Sequence, residues 1–165
     1  MSLYVADIPG KTPVIWEQCA DKNGKINSNY GWMIWSKDNY EQYQHCLKSL
    51  ISDPVTRQGV MLYNRPEMQE DWNKDGMHDF CCTYSVQCFL NETEDGTYTL
   101  NYIVYQRSCD AVFGYNNDVL WHTHVRDQLV KDLSEKMNVK VIPEKIKYHC
   151  GSLHVYERHF KFLEE

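Results

Sequence analysis

Residues 80–90, Phe80-Cys81-Cys82-Thr83-Tyr84-Ser85-Val86-Gln87-Cys88-Phe89-Leu90, form a run rich in aromatic and β-branched residues. A polar turn, Asn91-Glu92-Thr93-Glu94-Asp95-Gly96, separates it from Tyr98 to Tyr105 and from Gln106-Arg107-Ser108-Cys109-Asp110, and the stretch closes on Gly114-Tyr115-Asn116-Asn117-Asp118. Two β-rich runs joined by a polar, glycine-containing turn predict a hairpin. A cysteine pair opens its first strand and an arginine ends the second. Antiparallel pairing brings those ends together, so a thiol near position 82 is expected beside the Arg107 guanidinium, which would lower its pKa.

Working outward, a chain of 165 residues with 42% hydrophobic content is long enough for one well-buried core, so a single domain over 1–165 is expected. A net charge of -6 argues against a nucleic-acid surface, which needs a basic face. A small anionic ligand needs only a local arginine cluster. The seven cysteines are odd in number and mostly lie within apolar runs, which fits a reduced cytoplasmic protein better than a disulfide scaffold. No apolar run is long enough to span a membrane.

Residues 1–13 read as an irregular lead-in. Val14 to Ala20 is an apolar segment, and Asp21-Lys22-Asn23-Gly24-Lys25 a turn. Tyr30, Trp32 and Trp35 form an aromatic cluster. Apolar or aromatic residues at 40, 43, 46, 47, 50 and 51 predict an amphipathic helix from Asn39 to Ile51, ended by Asp53-Pro54. Gly59 to Asn64 reads as a strand and Arg65 to Asp79 as a loop near the mouth of a site. Tyr115 to Asn138 is the longest helical pattern, with Val119, Leu120, His122, Val125, Leu129 and Leu133 on one stripe. Ile142 to Tyr156 reads as a last strand. Strands and helices mixed without a βαβ rhythm predict an α+β fold.

The spacing Cys82-x4-Gln87, then Gln106-Arg107-Ser108-x-Asp110-x3-Gly114 and a polar residue at 118, resembles the active-site core of the thymidylate synthase and deoxycytidylate hydroxymethylase superfamily. Ile15-Trp16-x3-Ala20-Asp21-x-Asn23-Gly24, Tyr30-Gly31, Asp53-Pro54-x-Thr56-Arg57 and His154-x-Tyr156-x2-His159 extend the resemblance over about residues 14–159. It implies a mixed, bent sheet with flanking helices, the sheet's outer face packing against a twin in a homodimer. It also implies a pyrimidine nucleotide 5′-monophosphate as substrate and methylenetetrahydrofolate as one-carbon donor. Relative to the family the chain lacks the leading part, which holds a glutamate at the base, and the tail, which closes over the folate. Glu17, Glu67, Glu70 and Asp71 are carboxylates without a matching motif.

The resemblance makes Cys82 the nucleophile. A thiolate adding to C6 of a pyrimidine breaks the ring conjugation and makes C5 nucleophilic. A strand cysteine is otherwise inert core, and strand alternation sets Cys81 on the opposite face. Arg107 is implied as the phosphate ligand of the same subunit, assisted by Ser108 and adjoining Gln106. Arg57 matches an arginine that crosses the dimer to the partner's phosphate, although Gln58 replaces the usual second arginine. Asp110 is implied near the base, His154 and Tyr156 at the sugar 3′-hydroxyl, and Tyr30 near the nucleotide. His122, His124, His149, His154 and His159 lack a metal-ligand pattern, so no metal is expected.

Position 118 separates the branches. Thymidylate synthases carry asparagine there, pairing with N3–H and O4 of uracil. Cytosine presents an acceptor at N3 and a donor at N4, which a carboxylic acid matches, so Asp118 points to the deoxycytidylate branch. An ordinary alternative is an aspartate capping the following helix. The expected activity is C5 hydroxymethylation of dCMP. The rivals are methylation of the same carbon and a nucleotide-binding protein without catalysis.

Overall fold

The computed structural model describes residues 14–162. The lead-in at 1–13 lies outside them. A short helix α1 (Val14–Cys19) leads into the turn at Asp21, whose Oδ1 takes the amides of Asn23 and Lys25 at 2.8 Å each. Helix α2 (Tyr30–Trp35) starts where Asn29 accepts the Trp32 amide, so the aromatic cluster of the sequence is one helix that buries Tyr30, Met33 and Ile34.

Helix α3 spans Gln42–Ser52 and buries Tyr43, Cys46, Leu47 and Leu50. It starts later than the periodicity predicts. A separate 3-10 turn covers Lys37–Asn39, and Tyr40 and Glu41 take left-handed backbone (φ 65° and 42°), which breaks the helix before it begins. Tyr40 is 79% exposed and does not belong to the stripe.

Strand β1 (Gly59–Leu62) follows, then a loop with one helical turn, α4 (Met68–Asp71). Strands β2 (Thr83–Glu92) and β3 (Tyr98–Gln106) form the expected hairpin, with Val86 opposite Val104 and Leu90 opposite Leu100. After the two-residue β4 (Cys109–Asp110) comes the long α5 (Gly114–Met137). The expected last strand is three: β5 (Val141–Pro143), β6 (Lys147–Cys150) and β7 (Leu153–His154). Pro143 lacks an amide hydrogen to continue a ladder, and Gly151-Ser152 turns the chain away. Strand β7 pairs with β4 instead of with the main sheet.

The main sheet runs β1-β2-β3-β5, with β6 also on β3. Its first two pairings are antiparallel, and β3 pairs parallel with β5 and β6. The inner face carries Met61, Val86, Cys88, Leu90, Leu100, Tyr102 and Val104 against α3 and α5. On α5 the buried stripe is His122, Val125, Leu129 and Leu133. Leu120, expected on that stripe, is 72% exposed. The Tyr43 hydroxyl donates to Asp132 Oδ2 at 2.7 Å and ties α3 to α5. No helix among the described residues is long and apolar enough to cross a membrane.

Candidate active site

The hairpin positions the site at its open end. Arg107 follows the last residue of β3, and its amide donates to the Cys82 carbonyl at 2.9 Å. The guanidinium then reaches back across the ends of both strands. Its Nη2 donates to the Phe80 carbonyl (2.8 Å), Nε to the Cys81 carbonyl (3.1 Å) and Nη1 to Ser108 Oγ (3.0 Å). Nη2 also lies 3.6 Å from Cys82 Sγ, and Ser108 Oγ lies 3.7 Å from that sulfur. Arg107 therefore grips the backbone that presents the thiol, and with Ser108 makes a small donor cluster beside it.

The expected proximity is present, but its electrostatic outcome is reversed. Burial pushes the Cys82 thiol above its ordinary pKa; Arg107 and the Ser108 hydroxyl oppose this, while Asp118 and Asp79 add to it. Cys81 differs sharply: it is fully buried, its thiol is pushed up to about 12 by burial, and its Sγ donates to the Thr83 carbonyl at 3.1 Å. Both cysteines precede β2 rather than opening it, so simple alternation does not set their faces. Register breaks between Thr83 and Ser85, a bulge that lets Thr83 face inward against Gln106 while Val86 also faces inward.

On the inner side of the hairpin end, Gln106 is 3% exposed and donates through Nε2 to Asp118 Oδ2 at 2.7 Å. Asp118 is half-buried on the second turn of α5, and burial pushes its carboxyl up to about 6 against the lowering effect of Gln106. The capping alternative fails, because the N-cap position is Phe113, with no side-chain cap bond, and the Asp118 carboxyl is turned to Gln106. Tyr30 is buried, donating to Thr83 Oγ1 at 3.0 Å and accepting the Thr83 amide at 3.2 Å.

The other expected residues stand further out. Asp110 accepts the Val112 amide (3.0 Å) and faces His159 Nδ1 at 4.0 Å. It pairs across β4–β7 with His154, whose ring meets that of Tyr156 edge-on at 5.0 Å. Tyr156 lies beyond β7 but shares a side with His154, as their spacing suggests. Arg57 is not brought to Cys82. It is exposed in the turn before β1, where its carbonyl takes the Gln87 side chain at 3.1 Å, and Gln87 stands five residues from Cys82, on the order of 15 Å along an extended strand.

Two residues escaped the sequence reading. Asp79, assigned to the polar loop, is 6% exposed and accepts the Ser28 amide (2.5 Å) and hydroxyl (2.6 Å). Burial raises its pKa while Ser28, Asn27 and Arg107 lower it, which makes it a buried carboxylate three residues from Cys82. Its one signal in the sequence is its place at the border between the polar loop and Phe80-Cys81-Cys82. Glu17, Glu67 and Glu70 are exposed, and Asp71 pairs with Lys25 at 3.2 Å. The second is Thr83, an unremarked strand residue that is fully buried.

Comparison with known proteins bears on this geometry. A family model described as Thymidylate synthase matches residues 5–165. The deoxycytidylate 5-hydroxymethyltransferases of Enterobacteria phages T4 and T6 are each 49% identical over 164 residues, covering 99% of this chain and 65% of theirs. The chain thus spans about two thirds of the length of these relatives. A thymidylate synthase of Bacillus licheniformis is 24% identical, covering 90% of this chain and 50% of its own. The solved thermostable thymidylate synthase A of Bacillus subtilis superposes with a TM-score of 0.64 at 22% identity, covering 91% of this chain and 50% of that one. With the α+β architecture, the thiol beside Arg107 and Ser108 and a family match over nearly its whole length, the chain belongs to the thymidylate synthase family.

Proposed function

We propose that this chain carries the nucleotide site and the nucleophile of a deoxycytidylate 5-hydroxymethyltransferase. The observation that carries the reading is Asp118, a half-buried carboxyl whose burial holds it at about 6, close enough to neutrality for an acid O–H to meet an acceptor on a base. Cytosine offers that acceptor at N3 and a donor at N4, which the second carboxyl oxygen receives. The 49% identity to relatives named deoxycytidylate 5-hydroxymethyltransferase supports the same assignment.

In this reading Cys82 adds to C6 of the pyrimidine, so C5 gains carbanion character, takes the one-carbon unit and releases its proton. The bond from that carbon to its carrier nitrogen breaks, water adds to the exocyclic methylene left on C5 to form the hydroxymethyl group, and expulsion of the thiolate then restores the ring and frees Cys82. Because Arg107 and Ser108 lie within 4 Å of the sulfur, the groups that bind phosphate also stabilise the thiolate against burial. His154 and Tyr156 hold the sugar 3′-hydroxyl, Asp110 orients that corner, and Tyr30 supports the base side through Thr83.

Methylenetetrahydrofolate fits beside these groups. Phe113 and Tyr115 are 57% and 42% exposed at the start of α5, next to Asp118, and offer apolar faces to a flat ring system. Bound there, the folate supplies a carbon at the oxidation level of formaldehyde.

A homodimer through the outer sheet face completes the proposal, with Arg57 reaching the partner's phosphate. That face carries Val60, Leu62 and Tyr84, which are 36%, 54% and 42% exposed. Seven free thiols suit a reducing cytoplasm. Release of tritium from C5-labelled dCMP on addition of methylenetetrahydrofolate, with hydroxymethyl-dCMP as product, tests the function. Thymidylate-type methyl product would instead favour the methylating rival. Tight dCMP binding without tritium release would favour a binding protein.

A further inference from the structure

Thr83 has no part in the chemistry above, yet the hydrogen bonds behind the base edge meet at it. It follows Cys82 directly but is fully buried, facing inward because of the bulge at 83–85. The Tyr30 hydroxyl donates to Thr83 Oγ1 (3.0 Å) and receives the Thr83 amide hydrogen (3.2 Å). Gln106 Nε2 approaches that same oxygen at 3.4 Å and Asp118 Oδ2 at 2.7 Å.

Which end of a glutamine amide faces a neighbour is decided by the network it enters. In this network Gln106 points its NH2 end, not Oε1, at both Thr83 and Asp118, and Thr83 Oγ1 accepts from it. Its Oε1 is buried without a hydrogen-bond partner among the described residues. An Asp118 oxygen that receives an N–H is not the oxygen that carries the acid proton. We infer that the Thr83 hydroxyl, acting through Gln106, places the acid proton of Asp118 on Oδ1 and thereby sets the preference for cytosine over uracil. The inference rests on the reading of Asp118 proposed above. A carboxyl held as Oδ1–H and lone-pair Oδ2 presents donor and acceptor in fixed order, the order that N3 and N4 of cytosine need. Were the amide free to turn, Oε1 would draw the acid proton to itself, and Asp118 would offer the base only acceptors.

The test compares Thr83→Val, which keeps the shape and removes the hydroxyl, with Thr83→Ser, which keeps the hydroxyl. Titrations with dCMP and dUMP give the affinity ratio for each. Thr83→Val is expected to lower the dCMP-to-dUMP ratio about tenfold, and Thr83→Ser to stay within about twofold of the parent. Equal weakening of both nucleotides by Thr83→Val, or a Thr83→Ser ratio as low as that of Thr83→Val, would assign Thr83 to packing alone and overturn the inference. Should Thr83→Val fail to fold, Thr83→Ala removes the same hydroxyl in a smaller side chain. The ratio must then fall in the same sense, and an unchanged ratio overturns the inference. Asp118→Asn measured alongside separates the two levels. If it too leaves the ratio unchanged, the reading of Asp118 is what fails; if it moves the ratio while Thr83→Val does not, only the role of Thr83 falls.

Discussion

Replacing Asp118 by asparagine should do more than change base preference: it should remove a pH dependence. Burial holds the carboxyl at about 6, raised from 3.8. At pH 7 roughly one molecule in eleven then carries the acid proton, and at pH 5 roughly ten in eleven. If dCMP binds only the protonated form, its affinity rises about tenfold between pH 7 and pH 5, or about 1.4 kcal/mol. The second ionisation of the nucleotide phosphate, near pH 6, also titrates in this window. Its contribution is shared by dCMP and dUMP and survives the substitution. The diagnostic quantity is therefore the difference between the two proteins. Calorimetric titration at pH 5, 6 and 7 in a Cys82→Ser background, where no chemistry intervenes, measures it. The parent should gain dCMP affinity toward acid relative to dUMP, while Asp118→Asn should give parallel lines. At pH 6 the substitution should also shift the dCMP-to-dUMP ratio toward uracil by about 1–3 kcal/mol, roughly tenfold to a hundredfold. The same acid gain for dCMP in both proteins would refute the reasoning.

Two further outcomes are expected, the first from the proposed dimer and the second from the buried histidine of α5. Mixing Arg57→Ala and Cys82→Ser subunits should restore part of the tritium-release activity, because one hybrid site then holds both intact residues; mixtures no better than either parent would remove Arg57 from action in trans. His122 is fully buried, and burial pushes its pKa down to about 3 from 6.5, so the folded chain resists its protonation and stability is lost as pH falls below 6.5. That loss is about 2 kcal/mol between pH 7 and pH 5. His122→Gln should flatten the denaturation profile by this amount relative to the parent, and an unchanged difference between the two pH values would contradict it.

The hairpin and α5 were legible because period-2 and period-3.6 patterns are written in apolar residues; α5 lies within a residue of expectation, while β2 starts three residues later than the run that opens at Phe80. The nearness of Cys82 and Arg107 was legible because hairpin pairing turns distance in sequence into adjacency, whereas Ser108, Gln106 and Asp118 were legible through their match to the family motif. Four things were not. The α3 start depends on left-handed backbone at Tyr40 and Glu41, which no apolar pattern encodes. The direction of the Cys82 shift is a contest between burial and one arginine, and burial is a property of the packed fold. Thr83 and Asp79 became visible only once a bulge and a loop had turned them inward. The split of the last strand likewise reflects pairing partners, with β7 joining β4 rather than β3.

The central claim is that Cys82 is the nucleophile and its neighbour is not. The chain offers its own control, since Cys81 is fully buried with its thiol held at about 12, whereas Cys82 stands half-buried beside Arg107. Exchange of the C5 proton of dCMP should therefore be abolished by Cys82→Ser, with dCMP binding kept within about tenfold, because phosphate and base contacts remain. Cys81→Ser should retain most of the exchange. Equal loss from the two substitutions, or exchange that survives Cys82→Ser, would contradict the account.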